Sequence, residues 1–221
     1  KAIALLVRQL LRVEYYKWCG MKIVYTMHNK QAHDTKYKRI NRILMKFLCK
    51  KSDYIAVLCT YSKQILRDFL STEEIEKKVR VMYHPSYEGA YSEKKLSIPE
   101  LANSEKCNMH ILFMGSVRPY KNIELILEAA NKLQGKNIEF VIAGKSNNTD
   151  YEKMIQGKVN HLSKVTFIPR FIEDSEMFSF YDWADIVLIP LDIKSSLNSG
   201  SSVLAFTMGK TVIIPKVGTV R

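Results

Sequence analysis

The chain has 221 residues, 47% hydrophobic and 25% charged, with Gly 9 and Pro 6. That composition belongs to globular proteins and excludes a disordered, collagenous or mucin-like chain. The net charge is +12, and residues 1–67 account for the whole excess, with 15 Lys and Arg against 3 Asp and Glu. Unless the asymmetry is accidental, that first third meets something anionic: a membrane surface, nucleic acid, or a phosphorylated or acidic substrate.

In chain order, the apolar periodicity predicts a helix over 2–18, a strand over 22–26, a polar loop over 28–35 and a helix over 36–51. A strand over 54–58, a helix over 62–70 and a short strand over 79–83 follow. The segment 2–11 is too short for a membrane span, which needs roughly 20 residues, and is broken by Arg8. Residues 85–107 are polar, with Pro85, Ser86, Gly89, Ser92 and Pro99, and read as a linker. Beyond them, strands are expected at 110–114, 138–143, 165–168, 185–189 and 211–214, and helices at 122–133, 150–161, 175–183 and 201–208.

Strict alternation of apolar strands with helices implies an α/β fold with parallel sheets covered on both faces. Two Rossmann-like lobes result: 1–84, then the linker, then 108–221. Both read as incomplete, because the chain starts inside an apolar helix and stops after a strand whose following helix never arrives. Ligands in such sheets sit beyond the carboxyl ends of the strands.

The cysteines Cys19, Cys49, Cys59 and Cys107 have no metal-ligand spacing and read as small buried hydrophobes in a reducing compartment. The loop from Gly115 to Asn122 holds Arg118 and Lys121 ahead of a helix for which Asn122 is a candidate N-cap. From spacing alone it is equally an anion site or a solvated connector. A second loop, with Ser195, Ser196, Asn198, Ser199, Gly200, Ser201 and Ser202, enters the last helix; its amides could approach phosphate oxygens, or it is a flexible turn with a Ser cap. In the first lobe, His28, His33 and Asp34 follow a strand, and the two histidines are too far out of helical register for a metal pair. The helix over 36–51 sets Lys38, Arg39, Arg42, Lys46 and Lys50 against an apolar face, a pattern for anionic headgroups or a solvated surface. No recognition module accompanies these cations, so nucleic acid is set aside.

Read together, "KIVYTMHN", "SDYIAVLCTYSKQIL", "VRVMYHPSY", "ILFMGSVRPYKNIELILEAA", "IEFVIAGKS", "VTFIPRFIEDSEMFSFYDWADIVLIPL" and "SGSSVLAFTMGKTVIIP" resemble, in order, the GT-B glycosyltransferases, in particular the large retaining group 1 that uses nucleotide-sugar donors. The resemblance implies that Gly115 lets the backbone approach the donor diphosphate, that Lys121 contacts it and Arg118 assists, and that Ser199, Gly200 and Ser201 face it. It matches Phe171 and Ile172 to the stretch that holds the nucleotide base, and His28 to the histidine near the transferred sugar. The family's usual arginine follows the glycine directly, where this chain has Ser116. The family also carries two glutamates at positions that align with Ser196 and Leu204, so the ribose contact and the stereochemical outcome differ or stay open.

The function expected is transfer of a sugar from a nucleoside diphosphate to a saccharide or lipid-linked acceptor. No metal or cofactor is expected; the basic first lobe would lie on an anionic membrane, peripheral on its cytoplasmic face. The alternative is a glycosyltransferase-like partner subunit without catalysis, or a nucleotide-sugar-binding module.

Overall fold

The computed structural model describes residues 2–30, 37–102, 107–193, 196–216 and 218–220. His33, Asp34 and Ser195 lie outside the described residues. The chain divides into two units, Lys1–His84 with Ile193–Ser199 and Lys216–Arg221, and Pro85–Asp192 with Gly200–Pro215.

The first unit holds a parallel sheet of β1 (Val24–Met27), β2 (Tyr54–Val57) and β3 (Val79–Val81), in that spatial order. Val24 pairs with Tyr54, and Ile55 with Val79. Its helices are α1 (Ala2–Trp18), α2 (Lys38–Lys51), α3 (Ser62–Leu66) and α4 (Thr72–Lys78). Met27, Ile55, Val57, Leu66 and Leu197 form the centre of its core. The helix predicted over 62–70 stops at Leu66, and α4 starts after it. Ser71 is the reason: its hydroxyl accepts from the Glu74 amide at 3.2 Å, while Glu74 accepts from the Ser71 amide at 2.9 Å. This reciprocal cap starts a new helix.

The second unit is built on five parallel strands in the order β6-β5-β4-β7-β8. The strands are β4 (Met109–Met114), β5 (Ile138–Ala143), β6 (Val165–Ile168), β7 (Ile186–Leu188) and β8 (Thr211–Ile213). The helices are α5 (Pro99–Ala102), α6 (Ile123–Lys132), α7 (Thr149–Val159), α8 (Asp174–Trp183) and α9 (Gly200–Thr207). β4 lies between β5 and β7, so the strand order reverses there, and a crevice opens at the carboxyl end of β4. Ile126 of α6, Phe140 and Ile142 of β5 and Ile155 of α7 pack into one core, and each such side chain contributes about 1.5–3 kcal/mol by leaving water.

Two expectations change. Residues 85–102 do not hang free as a linker: they group with the second unit. The Tyr87 amide donates to the Thr207 hydroxyl at 3.1 Å, the Leu96 amide to the Ser179 hydroxyl at 2.7 Å, and Glu100 accepts from Arg170. Polar composition here serves docking by hydrogen bonds rather than solvation. Of the cysteines, Cys49 and Cys59 are buried, Cys107 is half-buried, and Cys19 is exposed where α1 ends.

Candidate active site at the carboxyl ends of β4 and β5

Gly115 follows β4 with φ +148°, and Gly144 follows β5 with φ +143°. A Cβ on Gly144 would stand 1.9 Å from the Gly115 carbonyl oxygen, so only glycine lets the two strand ends draw this close. Past this pair, the Val117 amide donates to the Lys145 carbonyl at 3.0 Å, which holds the two exit loops side by side.

The loop after Gly115 makes one turn of 3-10 helix, Pro119–Lys121, and reaches Asn122 in the left-handed region, φ 51°. Asn122 does not cap α6 with its side chain, contrary to expectation. Its left-handed backbone turns the amide away, and Nδ2 donates to the Pro190 carbonyl at 2.8 Å, fastening the loop after β4 to the chain after β7. Lys121 is half-buried, and burial first, then the nearby Arg118, lowers its pKa. Neither side chain forms an ion pair among the described residues. Two cations held together with one partly desolvated favour an anion between them.

Next to the glycine pair is a cavity of about 410 Å³. Gly115, Phe171, Ile172 and Ser201 from the expected set line it, together with Leu204. Phe171 is 60% exposed, whereas Ile172 is buried. Ser201 is in the first turn of α9, whose leading amides have no partner within the helix. The cavity does not include Arg118, Lys121, Gly200, Ser199 or His28 among its lining residues. Arg118 and Lys121 stay in the β4 exit loop, Gly200 opens α9, and Ser199 is buried and groups with the first unit. His28, also in the first unit, is exposed just after β1, and its carbonyl accepts from Asn198 Nδ2 at 2.6 Å.

Sequence reasoning missed several lining residues. Lys145 and Asn147 follow Gly144 at the end of β5, a position where the rule of strand carboxyl ends could have found them. Asp174 starts α8, and Met177 and Tyr181 face the cavity from the same helix. Burial pushes the Tyr181 phenol well above its ordinary pKa. Leu204 closes one side as an apolar wall at a position where the resembled family has a carboxylate. Ser196, the other such position, is buried, and its hydroxyl has no hydrogen-bond partner among the described residues.

Arg170 was also unforeseen. Its guanidinium reaches Glu176 twice at 2.7 Å and Glu100 through Nε at 2.8 Å, and also donates to the Phe171 carbonyl at 3.2 Å. Hydrogen bonds from Arg170 hold both carboxyls below their ordinary pKa, and the carboxylates raise that of Arg170. The fork clamps the turn that carries Phe171 between α5 and α8.

Among the described residues, no group of three or more His, Cys, Asp or Glu side chains is placed to hold a metal ion. No helix among them is long and apolar enough to cross a membrane.

Solved structures share this fold. Anabaena HepE in complex with UDP and glucose matches with a TM-score of 0.73 and 16% identity, over 96% of this chain and 58% of that one. An α,α-trehalose-phosphate synthase (UDP-forming) from Burkholderia vietnamiensis matches with a TM-score of 0.72 and 11% identity, over 96% and 56%. By sequence, a GDP-mannose:glycolipid 4-beta-D-mannosyltransferase of Xanthomonas campestris pv. campestris is 21% identical over 105 residues, 48% of this chain and 30% of that protein. The chain thus spans under a third of the length of this curated relative. Residues 108–221, just over half of the chain, match the family model described as glycosyl transferases group 1. With the glycine-walled crevice and the GT-B lobes expected from its sequence, the chain belongs to the group 1 glycosyl transferases.

Proposed function

We propose that the protein transfers a sugar from a nucleoside diphosphate sugar to a saccharide or lipid-linked acceptor, in the assembly of a polysaccharide or glycoconjugate. The observation that carries this reading is the crevice at β4 and β5, where the Gly115–Gly144 pair lines a cavity beside a loop with two cations that have no ion pair among the described residues. The diphosphate would lie on Gly115, Lys121 and Arg118, with Ser199, Gly200 and Ser201 at the start of α9. The base would rest on Phe171 and Ile172. As the bond to the sugar breaks, the charge growing on the diphosphate would be met by these cations and amides, and the reading assigns no metal ion or other cofactor. His28 would contact the transferred sugar or accept a proton. The basic residues of 1–67 would hold the protein on the cytoplasmic face of an anionic membrane.

A panel of nucleoside diphosphates and nucleotide sugars, read by thermal shift, tests the donor site. One nucleotide should raise Tm selectively, and Lys121→Ala should weaken its binding about tenfold, as expected for loss of one charge-assisted hydrogen bond. A panel in which no nucleotide shifts the folded protein would sink the donor assignment.

A second reading rests on Leu204 and Ser196, which replace the family's carboxylates: a partner subunit that binds a nucleotide sugar without turnover. Release of free nucleoside diphosphate in the presence of acceptor separates the two readings.

A further inference from the structure

Residues 85–102 bond to three of the elements that wall the cavity at β4 and β5, yet among the described residues none of them lines it. The Tyr87 amide donates to Thr207 of α9, the helix that contributes Ser201 and Leu204 to the wall. The Leu96 amide donates to Ser179 of α8, and Lys95 pairs with Asp182 of the same helix, which contributes Met177 and Tyr181. Glu100 accepts from Arg170, directly before Phe171 and Ile172. Between these points Ile98 is buried. The rings of Tyr87 and Tyr91, 6.0 Å apart, stand near enough to the Tyr181 phenol to act on it electrostatically.

The bonds are not equivalent. Those from Tyr87 and Leu96 join neutral groups, and Lys95 pairs with Asp182 at the surface, where such pairs contribute little. The bond at Arg170 is charge-assisted and forked: Nε reaches Glu100 at 2.8 Å, while both terminal nitrogens reach Glu176 at 2.7 Å. One of those nitrogens also donates to the Phe171 carbonyl at 3.2 Å. Glu176 in turn accepts from the Glu173 amide at 2.9 Å, where α8 begins. One guanidinium therefore holds the main chain from Arg170 to Glu173 at both ends. Phe171 is largely exposed and has little packing around it, so buried Ile172 and this fork fix where the turn stands.

We propose that residues 85–102 brace the nucleotide pocket and that Arg170 is a positioning residue, transmitting that docking to the base turn at Phe171 and Ile172. The inference rests on the donor reading and names the residue that orients its base half. Arg170 does not touch the nucleotide; it keeps the turn in the arrangement that the base meets. Loss of the fork lowers the fraction of molecules in that arrangement, and the apparent affinity falls by the same fraction. Coupling between two sites runs both ways, so a bound nucleotide in turn holds 85–102 more tightly.

The test is titration calorimetry of the whole chain with UDP, GDP, ADP and CDP, joined to hydrogen exchange with and without a saturating amount of the tightest binder. In the unaltered protein that nucleotide should slow exchange at the Tyr87 and Leu96 amides, as well as in the loop from Gly115 to Asn122. Arg170→Ala should weaken the nucleotide about fivefold and remove its protection of Tyr87 and Leu96, while protection of 115–122 stays. Glu100→Ala cuts the link to the brace and keeps Arg170 on Glu176; it should weaken the nucleotide about twofold and remove the same protection. Arg170 and Glu100 are both partly exposed, so the fold should survive either change. Arg170→Lys keeps the charge without the fork and should fall between the parent and Arg170→Ala. A purely structural role would raise exchange across the whole second unit in Arg170→Ala and leave the nucleotide's protection of 85–102 intact, which overturns the proposal. So does an affinity that Arg170→Ala leaves unchanged, or a nucleotide that protects 115–122 of the unaltered protein but not 85–102; both leave the donor reading in place. If none of the four nucleotides binds the unaltered protein, the donor reading fails and the inference falls with it.

Discussion

In the second unit, the central strand β4 ends on four consecutive buried residues, Ile111 to Met114, and every helix of eight residues or more buries at least three side chains. In the first unit, α1 is 17 residues long and has no buried residue, with Ile3, Leu11 and Trp18 more than 60% exposed. The two regions show the same strand–helix alternation in sequence, yet the apolar stripes of the second unit's helices are buried, while that of α1, with Leu6, Leu10 and Val13, is only half-buried where α1 packs on α2. Periodicity reports that a helix has a face; burial depends on what stands opposite.

The contrast can be broken most forcefully at the glycine pair. Gly144→Val should cost about 3–5 kcal/mol in denaturant unfolding and abolish any nucleotide-dependent rise in Tm, since the new Cβ meets the Gly115 carbonyl and the backbone is in a region side chains avoid. A paired substitution sharpens the comparison. Ile142→Ala, fully buried on β5, should cost about 2–5 kcal/mol, whereas Leu11→Ala on α1 should stay within about 0.5 kcal/mol. Equal costs would mean that Leu11 is covered in solution.

Arg170→Ala should cost about 1 kcal/mol, reduced from a buried fork by the exposure of its partners. Glu100 and Glu176 have folded-state pKa values held below their unfolded ones, so their contribution is present at neutral pH and lost as acid titrates them. The variant should therefore lose less stability than the parent when pH falls below the usual carboxylate range, measured by urea unfolding across pH. The smallest effect is expected in the first unit. Asp53 is lowered to about 2 from 3.8, chiefly by the Ile23 amide at 2.8 Å and then by Lys17 at 2.9 Å. Its stabilisation is present above the unfolded value and disappears as pH falls from about 4 to 2. Asp53→Asn should flatten that part of the acid unfolding curve.

Much of the fold was legible from spacing. The helix over 2–18 and the strand over 165–168 have the expected bounds, and the five strands of the second sheet are parallel as their apolar runs implied. The break at Ser71 was missed although Ser71 and Glu74 spell a reciprocal cap, because the apolar run through Leu70 dominated the reading. At the site, Gly115 was visible as the glycine ending a strand, but Gly144 acquires its meaning only when β5 lies in register with β4. The link from Arg170 to Glu100 could not be found by local reasoning, since Glu100 is 70 residues away in a segment whose composition suggested solvent. Asn122 shows the limit of cap rules: the right residue stood in the right place, and a distant carbonyl at Pro190 took its side chain.

The division of the chain has a practical consequence for anyone who tries to cut it. Leu197 is fully buried in the core of the first unit, yet it is encoded more than a hundred residues after His84, where the first long run of that unit ends. Gly218, in the terminal stretch that groups with the same unit, leaves no room for a side chain against the Leu197 carbonyl. A gene split at 84/85 would thus yield one polypeptide with a hole in its core and another carrying the missing plug. The two should be recovered as a complemented pair, and a synthetic peptide covering 193–221 should partly rescue the shorter one.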